Sequence, residues 1–354
     1  MLHSLRAEIV TGKYPPGSRL PTRTELERRY NVSRVTIQRV FDRLSRDGFV
    51  RPRQRHGTFV TQNPPHLTTL GLIFPWRQND GQNPWPHFWS TLIDAAGQRP
   101  LRADAPNQVE VFTGIREHSD HDQYQRFQAA LESHAIAGVI FANRPFYFEQ
   151  FRKQLGGVPC VAIMSRADIP GVHAVKLDNE RFIERALDHL ASRGRRRLAV
   201  ILPPGERGPV EHRDRLYQRA AQRGMELEPF WVQMTPPQAA ANCAHLLFHS
   251  GQQQRPDALL ITDDNLVEPA TSGLMAAGVQ PHDVEIVAHA NFPAPTPSRF
   301  PARRLGFDAR AVLDAATTLI TDRREGRDAP AVVTLEPVFE DEVDAAEVRR
   351  QEDR

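Results

Sequence analysis

The chain has 354 residues, 45 lysines and arginines against 43 aspartates and glutamates, and an apolar share of 40%. That is enough for two or three domains with real cores. No run approaches the roughly 20 apolar residues of a membrane span, and the N-terminus, with Arg6 and Glu8 beside Leu2, Leu5 and Ile9, lacks a signal-peptide apolar region, so a membrane protein is excluded and a cytoplasmic one expected.

The charge is unevenly placed. Residues 1–62 hold 13 Lys or Arg against 5 Asp or Glu, a net of +8, which leaves −6 on the remainder of a chain whose total is +2. Within this basic segment Thr22 and Glu25 are spaced as a capping box that starts one helix, and Ser33 caps a second after a break at Tyr30, Asn31 and Val32. Two short helices joined this way make a helix-turn-helix. In the second, Ile37, Val40, Phe41 and Leu44 fall on one stripe, so Val35, Gln38, Arg39, Asp42 and Arg46 face solvent. A glycine-bearing wing, Arg55-His56-Gly57-Thr58-Phe59-Val60, follows. Residues 1–62 are therefore read as a DNA-binding winged helix, whose exposed helix side suits a major groove and whose charge releases counterions from a polyanion.

Residues 63–67, within the polar, proline-bearing stretch Thr61 to His66, read as a linker. Beyond it apolar runs alternate with helical segments: Leu70 to Phe74, then Phe88 to Gln98; Val109 to Phe112, then Gln123 to His134. Further runs are Gly138 to Phe141, Val158 to Ile163, Leu198 to Leu202, Ala258 to Ile261 and Val284 to Val287. Such alternation predicts parallel strands with crossover helices, buried on both faces. A barrel, one large open sheet and two smaller sheets flanking a cleft all satisfy it. Polar and aromatic residues gather after the runs, as in Pro75-Trp76-Arg77, Asn143-Arg144-Pro145 and Thr262-Asp263-Asp264-Asn265, where open sheets bind ligands. That placement favours two sheets and a cleft. Trp76, Trp85, Phe88 and Trp89 cluster near the end of the first run.

Cys160 and Cys243 lie in apolar segments and read as buried thiols. Among the fourteen histidines, His118, His121 and His134 have no cysteine partner or ligand motif, so no metal is expected. The excess of arginine over lysine, 42 to 3, reads as genome composition. Neither Lys153 nor Lys176 has the surroundings of a Schiff-base lysine, and no Gly-x-Ser-x-Gly elbow or phosphate-binding glycine loop occurs. An enzyme is not expected, nor any cofactor.

Residues 5–61 resemble the GntR winged-helix domain through Gly12, Pro16-Gly17-Ser18, Leu20-Pro21, Glu25-Leu26, Val32-Ser33-Arg34, Leu44, Asp47-Gly48 and Gly57-Thr58-Phe59-Val60. Residues 68–340 are similar to the ligand-binding domain of LacI-type repressors, itself like periplasmic sugar-binding proteins. The carrying pieces are Val175 to Asn179, His189 to Arg197, Arg213 to Gly224, Pro256 to Asp264 and Pro281 to Val284. The combination resembles GntR regulators with a LacI-like sensor, of the arabinose-repressor type. It implies an α/β chain: a winged helix-turn-helix, then a periplasmic-binding-protein-like type I domain of two Rossmann-like subdomains, with a charged tail at 341–354.

The resemblance also implies a cytoplasmic repressor that binds a double-stranded operator as a homodimer and responds to a small effector, a carbohydrate, in the cleft. Arg34 and Thr36 fall where the family touches bases or phosphates, and His56 and Gly57 at the minor-groove wing tip. Gln38 takes a third contact position, often Arg in relatives, where an amide suits adenine. Val35 and Arg39 share the exposed side. Arg23 stands one residue before the usual arginine position, which is Thr24 here. In the sensor Arg213 and Asp264 match hydroxyl-gripping residues, and Asp178 a crossover motif; Trp76, Trp89, Asn143 and Asn291 complete the expected ligand set. Ala288-His289-Ala290-Asn291 replaces the usual Gly-Phe-Asp, so the family's acid is missing there, and Leu216 replaces a glycine. A non-sugar metabolite is the alternative effector, and a sugar-binding module the alternative role.

Overall fold

The computed structural model describes residues 1–78, 85–98, 108–116, 122–145, 148–155, 157–164, 167–204 and 209–345. They form two compact units: Met1–Trp85 with Ala96–Val175 and Asp314–Val333, and Pro86–Ala95 with Lys176–Leu313 and Thr334–Arg354.

The first unit begins with the head: α1 (Leu2–Val10), α2 (Arg23–Tyr30), α3 (Arg34–Arg46) and the hairpin β1 (Val50–Arg53) and β2 (Gly57–Val60). The capping box is complete, with Thr22 N donating to Glu25 Oε2 at 2.6 Å and Glu25 N to Thr22 Oγ1 at 3.3 Å. Ser33 caps α3 by accepting from Thr36 N. Asn31, at φ 50°, makes the left-handed corner between the two helices. The α3 stripe Ile37, Val40, Phe41 and Leu44 packs on Leu5, Ile9, Leu20 and Leu26.

The expected linker is not a free tether. Residues Pro65–Thr68 form a helical turn, α4, with Pro65 in its first turn and both His66 and Thr68 buried. The His66 ring stacks on Phe49 at 5.8 Å and 8°, Thr61 Oγ1 donates to Gly48 O at 2.8 Å, and Arg324 Nη1 donates to Leu67 O at 3.2 Å.

The chain continues through β3 (Thr69–Ile73), α5 (His87–Gly97), β4 (Gln108–Phe112), α6 (Asp122–Glu132), β5 (Gly138–Phe141), α7 (Phe148–Leu155), β6 (Cys160–Ile163) and β7 (Val172–Leu177). Then follow α8 (Asn179–Ser192), β8 (Leu198–Leu202), α9 (Pro209–Gln222), β9 (Val232–Met234), α10 (Pro237–Phe248), β10 (Ala258–Ile261), α11 (Val267–Ala276), β11 (Glu285–Phe292) and β12 (Arg303–Asp308). The last elements are α12 (Ala309–Arg324), β13 (Val332–Leu335) and β14 (Val338–Phe339).

One six-stranded sheet has the order β13-β7-β6-β5-β3-β4 and the other β14-β12-β11-β10-β8-β9. The crossovers give parallel pairs throughout the middle of each, and β14 runs antiparallel to β12. Every residue of β5, β6 and β10 is buried, because helices cover both faces. Two sheets, rather than a barrel or one large sheet, are what the chain builds.

The charged tail begins as a helix. Residues 340–345 are helical, and Val343 packs on Ala290 and Phe292. Phe339 anchors the segment between the guanidinium groups of Arg185 and Arg303, at 4.8 and 4.7 Å. The remaining tail residues, 346–354, lie outside the described residues.

Burial pushes the His66 imidazole down to about 4, helped by Arg324 and His134. Its native state binds the proton less tightly than the unfolded chain, so stability is full above the unfolded value of about 6.5 and falls as pH drops towards 4. The loss approaches about 3 kcal/mol at the acid end. Melting temperatures at pH 7.5 and pH 5 are expected to diverge for the intact chain and to converge in His66→Phe; an unchanged pH dependence in that variant would remove His66 from this role.

Candidate functional site

In the head, helix packing decides which side chains face outward. Arg34, Val35, Thr36 and Arg39 are exposed and Gln38 is half-buried, all on the side of α3 opposite its apolar stripe. Thr36 Oγ1 lies 3.0 Å from Ser33 Oγ, so its hydroxyl belongs to the helix cap. Gln38 Nε2 donates to Asp42 Oδ1 at 2.6 Å, one turn along. Arg23 opens α2 with its guanidinium 6.0 Å from the Phe41 ring centre.

The wing turns through Arg55 at φ 61°, and His56 Nδ1 lies 2.8 Å from Gln54 O. Gly57 has φ 108°, a backbone that strains any side chain, and a Cβ there would come 2.8 Å from Arg19 Nε, which would have to shift. The exposed arginines Arg51 and Arg53 on β1, with Arg55, are residues the sequence reading did not single out. Their signal is the alternate spacing 51, 53, 55 just before the wing glycine.

The acids of the head hold other cations. Glu8 pairs with Lys13 at 2.7 Å and with Arg29, and Asp47 with Arg43 at 2.9 Å and with Arg6. Among the described residues no ion pair involves Arg34, Arg39, Arg51 or Arg55. The start of α3 and the wing therefore carry cations that no ion pair among the described residues neutralises, as do Arg19, Arg23, Arg28 and Arg46.

In the second unit the carboxyl ends of β10 and β11 lie side by side. Asn291 Nδ2 donates to Asp264 Oδ2 at 2.5 Å, and Asn265 Nδ2 donates to Asp264 Oδ1 at 3.2 Å and to Asp263 Oδ1 at 2.8 Å. His87 N, at the start of α5, donates to Asn265 Oδ1 at 3.1 Å, and its Nε2 donates to Ala294 O at 2.6 Å. Asp264 and Asn291 are both 2% exposed. Asn291 Oδ1 and His289 Nδ1 are buried without a hydrogen-bond partner. Burial pushes the Asp264 carboxyl up; His289 pulls it down and Asp263 adds to the rise. Burial likewise lowers the His289 imidazole against the attraction of Asp264. Its ring packs on Phe182 at 5.2 Å and Phe307 at 5.8 Å.

The other expected ligand residues lie on several elements of the two units. Asp178 caps α8 by accepting from Arg181 N at 3.2 Å, and Trp89 is buried in α5. Arg213 lies in α9, its side chain outside the described residues. Trp76 and half-buried Asn143 belong to the first unit, where Arg116 sits 5.5 Å from the Trp76 ring centre. Leu216, in place of the expected glycine, is a core residue beside Phe182 and Leu187. His87, Asn265 and His289 escaped the sequence reading; only the polar run at 263–265 pointed towards them. Among the described residues no group of three or more His, Cys, Asp or Glu is placed to hold a metal.

Residues 2–60 match the model of bacterial regulatory proteins of the gntR family. The head is similar to the regulatory domain of that family. Residues 187–340 match the model of the periplasmic binding protein-like domain. The chain is 30% identical over 152 residues to the fatty acid metabolism regulator protein of Shewanella frigidimarina, a match covering 39% of this chain and 59% of that one. It is 22% identical to the arabinose metabolism transcriptional repressor of Geobacillus stearothermophilus over 86% of both chains. A LacI-family regulatory protein from Chloroflexus aggregans shares its fold over 77% of this chain and 96% of that one, with TM-score 0.56 and 20% identity.

The raised Asp264 carboxyl sets a stability test. The native state holds the proton more tightly than the unfolded one, so stability declines as pH rises above the ordinary carboxylate value of about 3.9. Asp264→Asn is expected to melt at the same or a higher temperature at pH 7.5, with the difference closing in acid. A marked fall in melting temperature at pH 7.5 would show that the charge stabilises the fold.

Proposed function

We propose that this chain is a transcriptional repressor whose operator affinity changes when a small carbohydrate binds at the carboxyl edge of the second unit's sheet. The observation that carries the reading is one chain holding both a head with unneutralised arginines at the start of α3 and on the wing, and a sheet edge with polar atoms awaiting partners. Arg34 and Thr36 approach bases or phosphates in the major groove, with Val35, Gln38 and Arg39 beside them. Arg23 takes the backbone, and His56 and Gly57 enter the minor groove. Asp264 and Arg213 grip effector hydroxyls by charge-assisted hydrogen bonds, and Asn291, Asp178 and Trp89 of the same unit complete the effector's surroundings.

The working form is a homodimer. Phe230, Met234, Leu246 and Met275 are large exposed apolar residues, and all belong to the second unit. Burying them between copies removes apolar surface from water and presents two α3 helices to two operator half-sites. Effector and operator are coupled only through a difference in effector affinity between the two states.

The replacement of the family's acid by Asn291 supports a second reading, an effector that is not a simple sugar. A thermal-shift screen against mono- and oligosaccharides decides between them. A ligand present at a hundred times its Kd stabilises the folded state by about 2.7 kcal/mol, which a melting curve reads as a clear shift. The carbohydrate reading expects a sugar hit that vanishes in Arg213→Ala, with duplex DNA binding retained. No shift across the panel contradicts it.

Arg34→Ala is expected to weaken duplex binding at least tenfold by fluorescence anisotropy while the thermal shift by the effector is kept. Equal loss of both responses contradicts the division of roles.

A further inference from the structure

We propose that Val35 and Gln38 form one base-reading ridge on α3, selecting a thymine C5-methyl next to an adenine in each operator half-site. This rests on the DNA-binding reading above and adds the bases the helix selects.

Val35 is 62% exposed. Around it stand exposed Arg34, Thr36 and Arg39, whose polar and charged groups suit phosphates and base edges. A valine side chain can do neither. In a major groove the apolar feature it can cover is the thymine methyl, and contact there removes both groups from water.

Gln38 lies one helical turn from Val35, and side chains spaced i, i+3 are neighbours with Cβ atoms roughly 5–6 Å apart. That spacing addresses adjacent base pairs. The donation from Gln38 Nε2 to Asp42 Oδ1 at 2.6 Å fixes the amide plane. Its Oε1 and second N–H remain, an acceptor and a donor side by side, which is the complement of adenine N6–H and N7. Guanine offers two acceptors there and would leave Oε1 unmatched. The neighbouring polar candidate, Thr36, has its hydroxyl tied to Ser33 at 3.0 Å. Asp42 also carries a negative charge that repels phosphate, so the brace belongs over the groove floor and not against the backbone.

The test is selection of duplexes from a random double-stranded oligonucleotide library by the intact protein, followed by affinity measurement with deoxyuridine in place of the selected thymidine. The enriched sites are expected to carry the T and A at neighbouring positions. Removing the methyl is expected to lower wild-type affinity about fourfold, the equivalent of one buried methylene, and to leave Val35→Ser unchanged. Gln38→Arg is expected to move the selected adenine to guanine. Enrichment of G·C pairs at both positions overturns the proposal, as does a wild-type affinity indifferent to deoxyuridine. Salt-dependent binding without any enriched sequence also overturns it, while leaving the DNA-binding reading in place. Failure to bind any duplex at low salt removes both.

Discussion

The rotation of α3 about its own axis is the constraint on which the head depends. Ile37, Val40, Phe41 and Leu44 are buried against α1, α2 and Leu20, and each such side chain stabilises its buried placement by roughly 1.5–3 kcal/mol. No other rotation buries all four, so Arg34, Val35, Thr36, Gln38 and Arg39 are carried outward together. The wing is held to the same frame by Leu20 N donating to Thr58 O at 2.9 Å and by Val60 N donating to Ser18 O at 2.9 Å. Charge then follows from packing: the acids on α1 and after α3 neutralise the cations near them, and the arginines of the reading side keep their field.

The second unit obeys a different rule, that of a parallel sheet which places successive strand ends beside one another. Its strands β11 and β12 approach so closely that a Cβ on Gly306 would fall 1.8 Å from Ala290 O. The parallel register of β10 on β11, with Ile261 beside Ala288, brings Asp264 and Asn291 together at one edge, in a cluster that includes the orphaned atoms Asn291 Oδ1 and His289 Nδ1. Buried polar atoms without partners cost stability.

The caps, the α3 stripe and the long apolar strands were legible because each rests on a local rule: a side-chain oxygen three residues from an amide, or a period of 3.6. The strands β7, β9, β12, β13 and β14 were not among the apolar runs. Charge or a polar ring interrupts β7 and β12, as at His173 and Lys176 or Arg303 and Arg304, while β9, β13 and β14 are only three, four and two residues long. The linker looked polar because Thr61 and His66 are polar residues; what buries His66 is Phe49, a contact no local pattern encodes. Asp178 shows the reverse limit, a carboxylate whose visible partner is its own helix N-terminus. The meeting of Asp264 with Asn291 spans 27 positions and follows only from the strand order.

The most direct measurement is the salt dependence of duplex DNA binding by the intact chain and by single arginine variants. The logarithm of the association constant falls with the logarithm of salt concentration by about 0.9 for each phosphate neutralised. Segregated charge predicts that Arg34→Ala or Arg51→Ala makes this slope shallower by about one phosphate, whereas Arg43→Ala, whose partner is Asp47, leaves it nearly unchanged. A flat slope for the intact chain, or the same change in all three variants, would contradict it.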